Sequence, residues 1–571
     1  MRPKEARTRI SRAWHLAAIA GGAALLSLYA RAEWPYAWLG WIALVPWLLV
    51  WSQARSVREV VLLCALCAAL FLVFSFYWFA EAIAAYTGWS RQVAFAVLAG
   101  TGLILQPQLL VLALWAYGVA RFPARSGWVW ILEAVIAAGA YVSCECLVPT
   151  KLLADTLGFG LWPLAELAQA ADLGGVFFLT FCLIAVNFWI AGGLLRVLRQ
   201  RNVRTAVLPV LLSLALVGTL SLYGAWRLQQ INRRADQLDG RSVRVGIVQG
   251  NLSHYDDLRA RYGTFEAVRT ILDRYLNLTQ TLVPQADLWI WPETVYPTTF
   301  ARPKSHEGAL FDREIAAFVQ VNGRPLIFGA YDSDGLSEYN AAFFLLPDSA
   351  SGLTVKTQRK LYPFPFTESV PSWLDNNSVR SWFPWLGTWK RGTDVEVVAL
   401  PVDRGGSVRL SALICYDAVL ASPAHTAVRR GAELLVSLSN DSWFAHLQGR
   451  RLALIASAMR SIETRRPQVR VTPTGLSAVM DIAGRVRLLL PPDEPTATVA
   501  EVDLGAHEPT LAVRTSGWIP WACLVGAGIG LMLRFAQRWS LPRSITELGT
   551  GRVNRRWWLW RTANPDKSGS R

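Results

Sequence analysis

Residues 205–251 read TAVLPVLLSLALVGTLSLYGAWRLQQINRRADQLDGRSVRVGIVQGN and join two kinds of structure. The first part, up to Trp226, is apolar and has the roughly 20 residues that a membrane-spanning helix needs. The last part, from Ser242 to Asn251, is rich in β-branched residues and ends in a turn, which predicts a buried strand. The stretch therefore predicts the end of a helical membrane domain and the start of an α/β domain.

Further apolar segments of spanning length lie on both sides of this boundary. Hydrophobic residues make up 53% of the chain and charged residues only 17%, whereas soluble domains are about a quarter charged. The predicted spans are 13–31, 36–52, 58–84, 93–120, 127–148, 173–195, 205–226 and 517–535. We therefore predict a seven-helix transmembrane domain at 1–226, a large domain at 227–515, a closing helix at 516–536 and a basic tail at 537–571.

Alternate loops between these segments are basic, which predicts an orientation because cytoplasmic loops carry excess Lys and Arg. The N-terminus and the loops after the second, fourth and sixth segments hold these residues, among them Arg55, Arg121 and Arg199. Seven spans then place residues 227–515 outside the cytoplasm, with the basic tail inside. The expected location is the cell inner (cytoplasmic) membrane. The stretch Ala30–Ala32 also resembles a cleavage site, so a cleaved signal peptide is the alternative reading of the first segment.

The net charge of +16 is concentrated in these loops and tails, and residues 227–515 carry no recognisable nucleic-acid motif. We therefore expect no nucleic-acid partner. Six of the seven cysteines lie in or beside the apolar segments, where pairs such as Cys64 and Cys67 have no nearby His. Packing explains them better than metal binding, and we expect neither a metal nor a cofactor.

Residues 227–515 alternate between strand and helix patterns. Hydrophobic strands are predicted around RPLIFGAY, YNAAFFLLP, VRLSALICYD and ELLVSLSND, and helices at Tyr262–Leu282 and around LALIASAMRSIETRRP. Two helix layers covering a β-sandwich fit this order. The predicted fold class is a polytopic α-helical membrane domain plus an α/β sandwich domain.

Two charged residues in this domain have the surroundings of catalytic groups. Glu293 follows the strand DLWIWP, and a carboxylate held there is partly desolvated, which suits a general base. A carboxylate at a helix N-terminus is the ordinary alternative. Lys360 lies in the stiff segment RKLYPFPFTESVP, where a lysine can stabilise an oxyanion, although a solvated lysine has the same pattern. Glu368 can orient that lysine or lie on the surface.

Cys415 ends the apolar strand LSALIC and is the only cysteine of residues 227–515. A nearby cation and base can convert such a thiol into a nucleophile. A buried structural cysteine is the ordinary alternative. An unpaired thiol outside the cytoplasm favours the catalytic interpretation.

The order Glu293, Lys360, Cys415, with each residue at a strand end, resembles the nitrilase superfamily, whose members use this triad. The whole chain resembles the bacterial apolipoprotein N-acyltransferase family, in which seven helices, a nitrilase-like αββα sandwich and one closing helix follow one another. The matching motifs are VQGN at 248–251, WPET around Glu293, the Lys360–Glu368 segment, ICYD around Cys415 and LSNDSWF at 438–444. Asp417 stands where a glutamate is usual, and Pro473 where an Asn is frequent.

The resemblance implies a reaction and its participants. A glycerophospholipid is the acyl donor and the α-amine of a diacylglyceryl apolipoprotein is the acceptor, with a thioester on Cys415 between them. Glu293 is the implied base and Lys360 the implied oxyanion donor, supported by Glu368, Tyr416 and Asp417. The lipid bilayer is the implied environment, and a monomer is expected. Two alternatives are a membrane-anchored amidase of the same superfamily and a non-enzymatic membrane scaffold.

Overall fold

The computed structural model describes residues 12–121, 129–147, 155–235, 241–252, 255–348, 352–402, 406–504, 508–515 and 519–539. Within them, a set of apolar helices precedes and follows two β-sheets that are covered by further helices. The predicted fold class, a helical membrane domain plus an α/β sandwich, is therefore confirmed. The basic stretch before Arg12 and the basic tail beyond Trp539 lie outside the described residues.

Most helices of the chain belong to the membrane domain. Their bounds are α1 (Arg12–Tyr29), α2 (Val45–Gln53), α3 (Val57–Ser75), α4 (Tyr77–Thr87), α5 (Arg91–Gly100), α6 (Gly102–Leu105), α7 (Pro107–Arg121), α8 (Val129–Leu147), α9 (Ala165–Ala168), α10 (Ala171–Gln200), α11 (Val207–Ala235) and, after the sheets, α18 (Ile519–Trp539). Among the described residues, four helices are long and apolar enough to cross a membrane, at Val57–Ser75, Val129–Leu147, Ala171–Gln200 and Val203–Arg233. The number of eight spans stays a prediction.

Three of the predicted spans are interrupted. The span predicted at 36–52 divides into a 3-10 helix at Tyr36–Trp41 and the short helix α2. The span predicted at 58–84 divides into α3 and α4, which meet at Phe76. The span predicted at 93–120 divides into α5, α6 and α7, and the last of these begins at Pro107. Proline has no N–H to donate and is favoured at the start of a helix, which accounts for the break between α6 and α7. Because of the break at Phe76, α4 is a separate short helix, and its end lies beside the sandwich domain.

The α/β sandwich domain contains two mixed sheets. The first has the strand order β13-β1-β2-β4-β5-β6, with β3 beside β4, and the second has the order β12-β11-β10-β9-β8-β7. The strands are β1 (Ser242–Gln249), β2 (Leu288–Ile290), β3 (Tyr296–Thr299), β4 (Leu326–Ser333), β5 (Glu338–Asp348), β6 (Gly352–Arg359), β7 (Val398–Val402), β8 (Gly406–Ile414), β9 (Leu434–Leu438), β10 (Gln468–Val471), β11 (Ala478–Met480), β12 (Val486–Leu489) and β13 (Thr496–Asp503).

The two sheets pack face to face because alternate side chains of each strand point toward the other sheet. Ile247 and Ile290 from the first sheet lie in one buried cluster with Ala412 and Val436 from the second. Helices cover both outer faces, which completes an αββα sandwich. On the first sheet these helices are α12 (Tyr255–Gln280) and α13 (His306–Asn322), and on the second they are α15 (Ala421–Arg429) and α16 (Leu447–Thr464), with the short α17 (Leu511–Arg514) against them. The short helix α14 (Asn377–Trp382) lies in the loop after β6 and buries no residue.

Buried ion pairs join the membrane domain to the sandwich domain. Asp172, at the start of α10, accepts hydrogen bonds from Arg465 Nη2 at 2.7 Å, Arg227 Nε at 2.8 Å and Tyr223 Oη at 2.6 Å. Helix α10 is interrupted at Gly175, where φ is +74°, and the Val176 N–H after the break donates to Glu463 Oε1 of α16 at 2.7 Å. Helix α16 therefore lies between the second sheet and the membrane helices.

Candidate active site

The three predicted catalytic residues follow strands that end at the same side of the sandwich. Glu293 comes shortly after β2, Lys360 directly after β6, and Cys415 directly after β8. The first two strands belong to one sheet and β8 to the other, so the set spans both layers. The backbone around Glu293 is tightly packed, since a Cβ added at Gly329 would lie 2.5 Å from the Glu293 Cα. In the structure the three residues therefore lie at strand ends, as predicted.

Lys360 and Glu293 form a buried ion pair. The Lys360 Nζ lies 3.0 Å from Glu293 Oε1, and the side chains are 2% and 4% exposed. The same ammonium lies 2.8 Å from Glu368 Oε2, so one lysine links two carboxylates. The Glu368 carboxylate also accepts the Phe364 N–H at 2.6 Å, which braces the loop after Lys360. Glu368 is thus brought to the site, as sequence analysis anticipated.

Asn340 is a member of the site that sequence analysis did not identify. Its side-chain amide donates to Glu293 Oε1 at 2.7 Å and lies 3.2 Å from Glu368 Oε1. The residue lies on β5, next to the end of β6, in the stretch EYNAAFF. An Asn in an apolar strand is the only local signal, because strands disfavour Asn unless its polar groups have a partner.

Burial and mutual charge set the protonation of these groups. Burial raises the pKa of Glu293, and the Lys360 ammonium opposes that rise. Burial alone would lower the pKa of Lys360, but Glu293 and Glu368 raise it well above its usual value. Lys360 is therefore a permanent cation at neutral pH. Glu293 is a carboxylate with increased basicity, as a general base requires.

Cys415 is held in a strained backbone conformation at the end of β8. Its φ is +49°, in the left-handed region that non-glycine residues rarely adopt and that is frequent at functional sites. Burial raises the pKa of its thiol to about 12, with Glu293 adding to the rise and Lys360 opposing it. The resting thiol is therefore neutral. It needs a base to take its proton during attack.

Asp417 ties the turn of Cys415 to the loop of Lys360. Its carboxylate accepts the Tyr362 N–H at 2.8 Å, and the N–H groups of Leu361 and Ile414 at 3.3 Å each. Burial nevertheless raises the pKa of Asp417 to about 7. The shorter Asp, where the resembled family usually has a glutamate, still reaches both segments.

The side chain next to the nucleophile faces the membrane domain. The Tyr416 ring packs edge-on against Phe364, with centroids 5.1 Å apart, and Phe364 lies 6.3 Å from Phe79 of α4. Tyr416 belongs to the same apolar cluster as Trp78 and Phe76 at the start of α4. The site is therefore bordered by aromatic residues from the membrane helices.

A second loop approaches Cys415 from β9. Asp441 within LSNDSWF is 1% exposed, accepts from Arg470 Nη2 at 2.5 Å and adds to the rise in the pKa of Cys415. Its Oδ2 lies against Gly475, where an added Cβ would be 2.3 Å away. Pro473 lies nearby in the chain, and its carbonyl accepts the Asn251 N–H at 2.9 Å. This places the VQGN turn beside the same loop.

Several other cysteines and histidines lie apart from Glu293, Lys360 and Cys415. Cys64 and Cys67 lie on α3 and are buried in the apolar cluster of the membrane helices. His446 pairs with Glu81 of α4 at 2.7 Å, and His425 lies 3.0 Å from Glu463. Each histidine thus has a carboxylate partner, which the sequence did not reveal.

Two family models match the chain. The model of the apolipoprotein N-acyltransferase N-terminal domain matches residues 22–189, and that of carbon-nitrogen hydrolase matches residues 244–510. The first match lies in the membrane domain and the second covers both sheets together with Glu293, Lys360 and Cys415. The two matches occur in the order that the resemblance predicted.

Several proteins named apolipoprotein N-acyltransferase are similar to this chain over most of its length. The apolipoprotein N-acyltransferase of Gloeobacter violaceus is 28% identical over 497 residues, which is 85% of this chain and 87% of that protein. The one of Geobacter metallireducens is 26% identical, over 67% of this chain and 70% of that protein. A solved amidase from a Nesterenkonia species is 16% identical, with a TM-score of 0.35, over 49% of this chain and 95% of that one. With both domain models matched in order, this chain belongs to the apolipoprotein N-acyltransferase family of membrane-embedded acyltransferases.

Proposed function

We propose that the chain moves an acyl group from a glycerophospholipid to the N-terminal α-amine of an S-diacylglyceryl cysteine in an apolipoprotein, through a thioester on Cys415. The observation that carries the proposal is the buried Glu293–Lys360 ion pair, whose charges act on the Cys415 thiol. Aromatic residues beside Cys415 continue into the membrane helices. Acyl chains leave lipid at a cost of about 0.8 kcal/mol per CH₂, so a lipid-using site must border the bilayer.

In the first half-reaction, the Cys415 sulfur attacks the ester carbonyl carbon of the phospholipid. Glu293 takes the thiol proton as the carbon–sulfur bond forms, because the neutral thiol with its pKa of about 12 needs a base. The tetrahedral intermediate then breaks its carbon–oxygen bond. Glu293 returns the proton to the departing oxygen, and the lysophospholipid leaves Cys415 acylated.

Lys360 stabilises the oxyanion of both tetrahedral intermediates. An ammonium has three N–H donors, and in the resting site the Glu293 and Glu368 carboxylates engage this group. The Lys360 Nζ lies within 3.0 Å of Glu293 Oε1 and of both Glu368 oxygens, so one N–H passes from a Glu368 oxygen to the substrate oxygen while the ammonium charge stays in place. A backbone N–H near Cys415 or Tyr416 is the proposed second donor. A preorganised charge of this kind contributes strongly to catalysis because it needs no reorganisation during the reaction.

In the second half-reaction, the neutral α-amine of the lipoprotein attacks the thioester carbon. Glu293 accepts a proton from the attacking nitrogen, the carbon–sulfur bond breaks, and the proton passes to the departing sulfur. The products are an amide-linked third acyl chain and the free Cys415 thiol. Since each substrate meets the enzyme in turn, the kinetics are expected to be ping-pong.

We also propose a placement for the protein in the cell. The proposed membrane is the inner (cytoplasmic) one, and the basic residues in alternate loops support an orientation with residues 227–515 on the extracytoplasmic side and the 537–571 tail inside. Seven spans in 1–226 and a closing one at 516–536 remain part of this proposal, as does a monomer. A cysteine-labelling reagent that does not cross membranes tests the side. A cysteine introduced at Leu336, which is 98% exposed, should react in cells with a permeable outer barrier.

Analysis of the reaction products tests the function. Purified protein in detergent micelles receives a phospholipid with a labelled acyl chain and a synthetic diacylglyceryl-cysteinyl peptide. We expect N-acylated peptide and lysophospholipid in equal amounts, both absent with Cys415→Ala. Release of free fatty acid without N-acylated peptide would instead indicate the amidase-like hydrolase. No product from folded protein would favour the scaffold.

A further inference from the structure

A loop next to the active site is closed at a narrow neck. We call residues 369–384 the arm. At its base, the Gly387 N–H donates to the Phe366 carbonyl at 2.9 Å and the Trp389 N–H donates to the Glu368 carbonyl at 2.8 Å. A Cβ added at Gly387 would lie 2.4 Å from the backbone of Glu368, so only glycine permits this approach. The two ends of the arm are thereby held together within a few ångströms.

One side chain of the membrane domain contacts both ends of the arm. The Tyr86 hydroxyl, at the end of α4, lies 2.9 Å from the Thr367 carbonyl and 2.8 Å from the Trp385 carbonyl. Its ring also packs against Trp385 and Trp443, with centroid distances of 5.8 and 5.2 Å. A hydroxyl has a single proton to donate, so it alternates between the two carbonyls and binds both sides of the neck.

This neck is continuous with the catalytic lysine. Thr367 is followed directly by Glu368, whose carboxylate binds the Lys360 ammonium at 2.8 Å and the Phe364 N–H at 2.6 Å. A shift of the Thr367 carbonyl away from Tyr86 would therefore move the Glu368 backbone as well. The path from the membrane helix to the lysine runs through one hydrogen bond, one peptide unit and one ion pair.

We propose that Tyr86 is a positioning residue, whose hydroxyl fixes the neck of the arm so that the Glu368 carboxylate stays on the Lys360 ammonium. The inference rests on the proposed function, because it assumes that Glu293 is the base whose environment Lys360 and Glu368 control. It assigns to α4, a helix of the membrane domain, a part in setting the electrostatics of the catalytic domain.

The proposed role has an electrostatic signature. Burial is the main cause that raises the pKa of Glu293, and the charge of Glu368 adds to the rise, whereas Lys360 lowers it. If Glu368 moves away, the remaining Lys360–Glu293 pair strengthens and the pKa of Glu293 falls. The other titratable groups around the site, Cys415, Asp417 and Asp441, lie on the second sheet and its loops, whereas the Tyr86 hydroxyl bonds to the Thr367 and Trp385 carbonyls of the neck.

The test compares the full-length wild type with Tyr86→Phe, Glu368→Gln and the double variant. The readout is the pH at which kcat/KM for Cys415 acylation by a water-soluble acyl thioester rises to half its maximum. Tyr86→Phe keeps the ring contacts and removes only the hydroxyl. Tyr262→Phe, at a tyrosine of α12 that is 62% exposed, is the matched control.

We expect the half-maximal pH of kcat/KM, which marks the acid limb of the pH profile, to be lower in Glu368→Gln than in the wild type. In Tyr86→Phe it should fall by a smaller amount, and in the double variant it should equal that of Glu368→Gln. Tyr262→Phe should follow the wild type. An unmoved limb in Tyr86→Phe, even with a reduced rate, would overturn the proposal, and so would a double variant whose shift is the sum of both. Wild-type N-acylation of the diacylglyceryl peptide is measured separately, so a failure of the proposed function is recognised independently of this result.

Discussion

The Phe364 ring packs edge-on against Tyr416, at a centroid distance of 5.1 Å, and so joins the loop that follows Lys360 to the residue that follows Cys415. Both rings also lie in the apolar cluster of the membrane helices. The contact brings together three features that the sequence presents far apart. These features are the proposed oxyanion donor Lys360, the proposed nucleophile Cys415 and the proposed route of the lipid.

Replacement of Phe364 by Ser should weaken the use of lipid donors. An aromatic pair contributes about 0.5–1.5 kcal/mol beyond its buried area, so we expect roughly a 2- to 10-fold lower kcat/KM for phospholipid. Acylation by a water-soluble thioester should change far less, because that donor does not pass the aromatic residues. The comparison variant is Phe366→Ser, at a ring that is 45% exposed, which should show the same selectivity more weakly. Equal loss with both donors would contradict the assignment.

Asn340→Ala should shift the pH dependence of the first half-reaction. The Asn340 amide bonds to Glu293 Oε1 at 2.7 Å and helps to lower its pKa, which burial raises. Without that bond the pKa of Glu293 rises, and the acid limb of kcat/KM moves to higher pH. Hydrogen bonds to charged groups contribute about 1.5–3 kcal/mol, so the shift is expected to be about one to two pH units.

The shift is measured from acylation rates with the soluble thioester between pH 5 and pH 9. A limb that stays in place, or moves to lower pH, would show that Asn340 does not act on the base. The direction is opposite to that expected for Tyr86→Phe and Glu368→Gln. The two effects therefore serve as internal controls for each other.

Asp417→Asn should remove a pH-dependent loss of stability. The folded-state pKa of Asp417 is about 7 because of burial, whereas its usual value is 3.8. A raised carboxyl pKa contributes stability that is complete below the unfolded value and is lost as the pH rises through the folded one. The melting temperature of the wild type relative to that of the variant should therefore fall between about pH 4 and pH 7. Parallel melting curves across this range would contradict a buried, protonated Asp417.

Arg465→Ala should destabilise the junction of the two domains. Arg465 is 2% exposed and binds Asp172 at 2.7 Å, and removal of one partner of a buried pair costs about 3–5 kcal/mol. Arg514→Ala is the matched control, since its pair with Glu508 is 58% and 88% exposed and contributes at most about 1 kcal/mol. Thermal unfolding in detergent should show a large decrease for the first variant only. Equal melting temperatures would mean that the buried pair does not hold the junction.

The sequence predicted the parts of this protein that local patterns encode. The strand ends before Glu293 and Cys415 were recognisable because each residue follows a short apolar run, whereas Lys360 follows the mostly polar strand GLTVKTQR and was recognisable from the proline-rich segment after it. The two domain types followed from hydropathy, and the two family models match in the predicted order. Residues whose role depends on one short segment were thus accessible.

The parts that the sequence did not predict depend on distant contacts. Asn340 acts on a carboxylate 47 positions away, and Arg465 pairs with Asp172 across 293 positions. The separation of α4 from α3 at Phe76 was hidden because both helices are apolar, although the residues of α4 meet the catalytic loops. No periodicity reports such pairs, since they arise only when the two domains pack.

Intact-mass measurement of the protein after incubation with a phospholipid alone tests the central claim most directly. The account predicts an added mass equal to one acyl group, located on Cys415, absent from Cys415→Ala and removed when the diacylglyceryl peptide is added. No adduct on well-folded protein with any of several phospholipids, or an adduct that persists in Cys415→Ala, would contradict it.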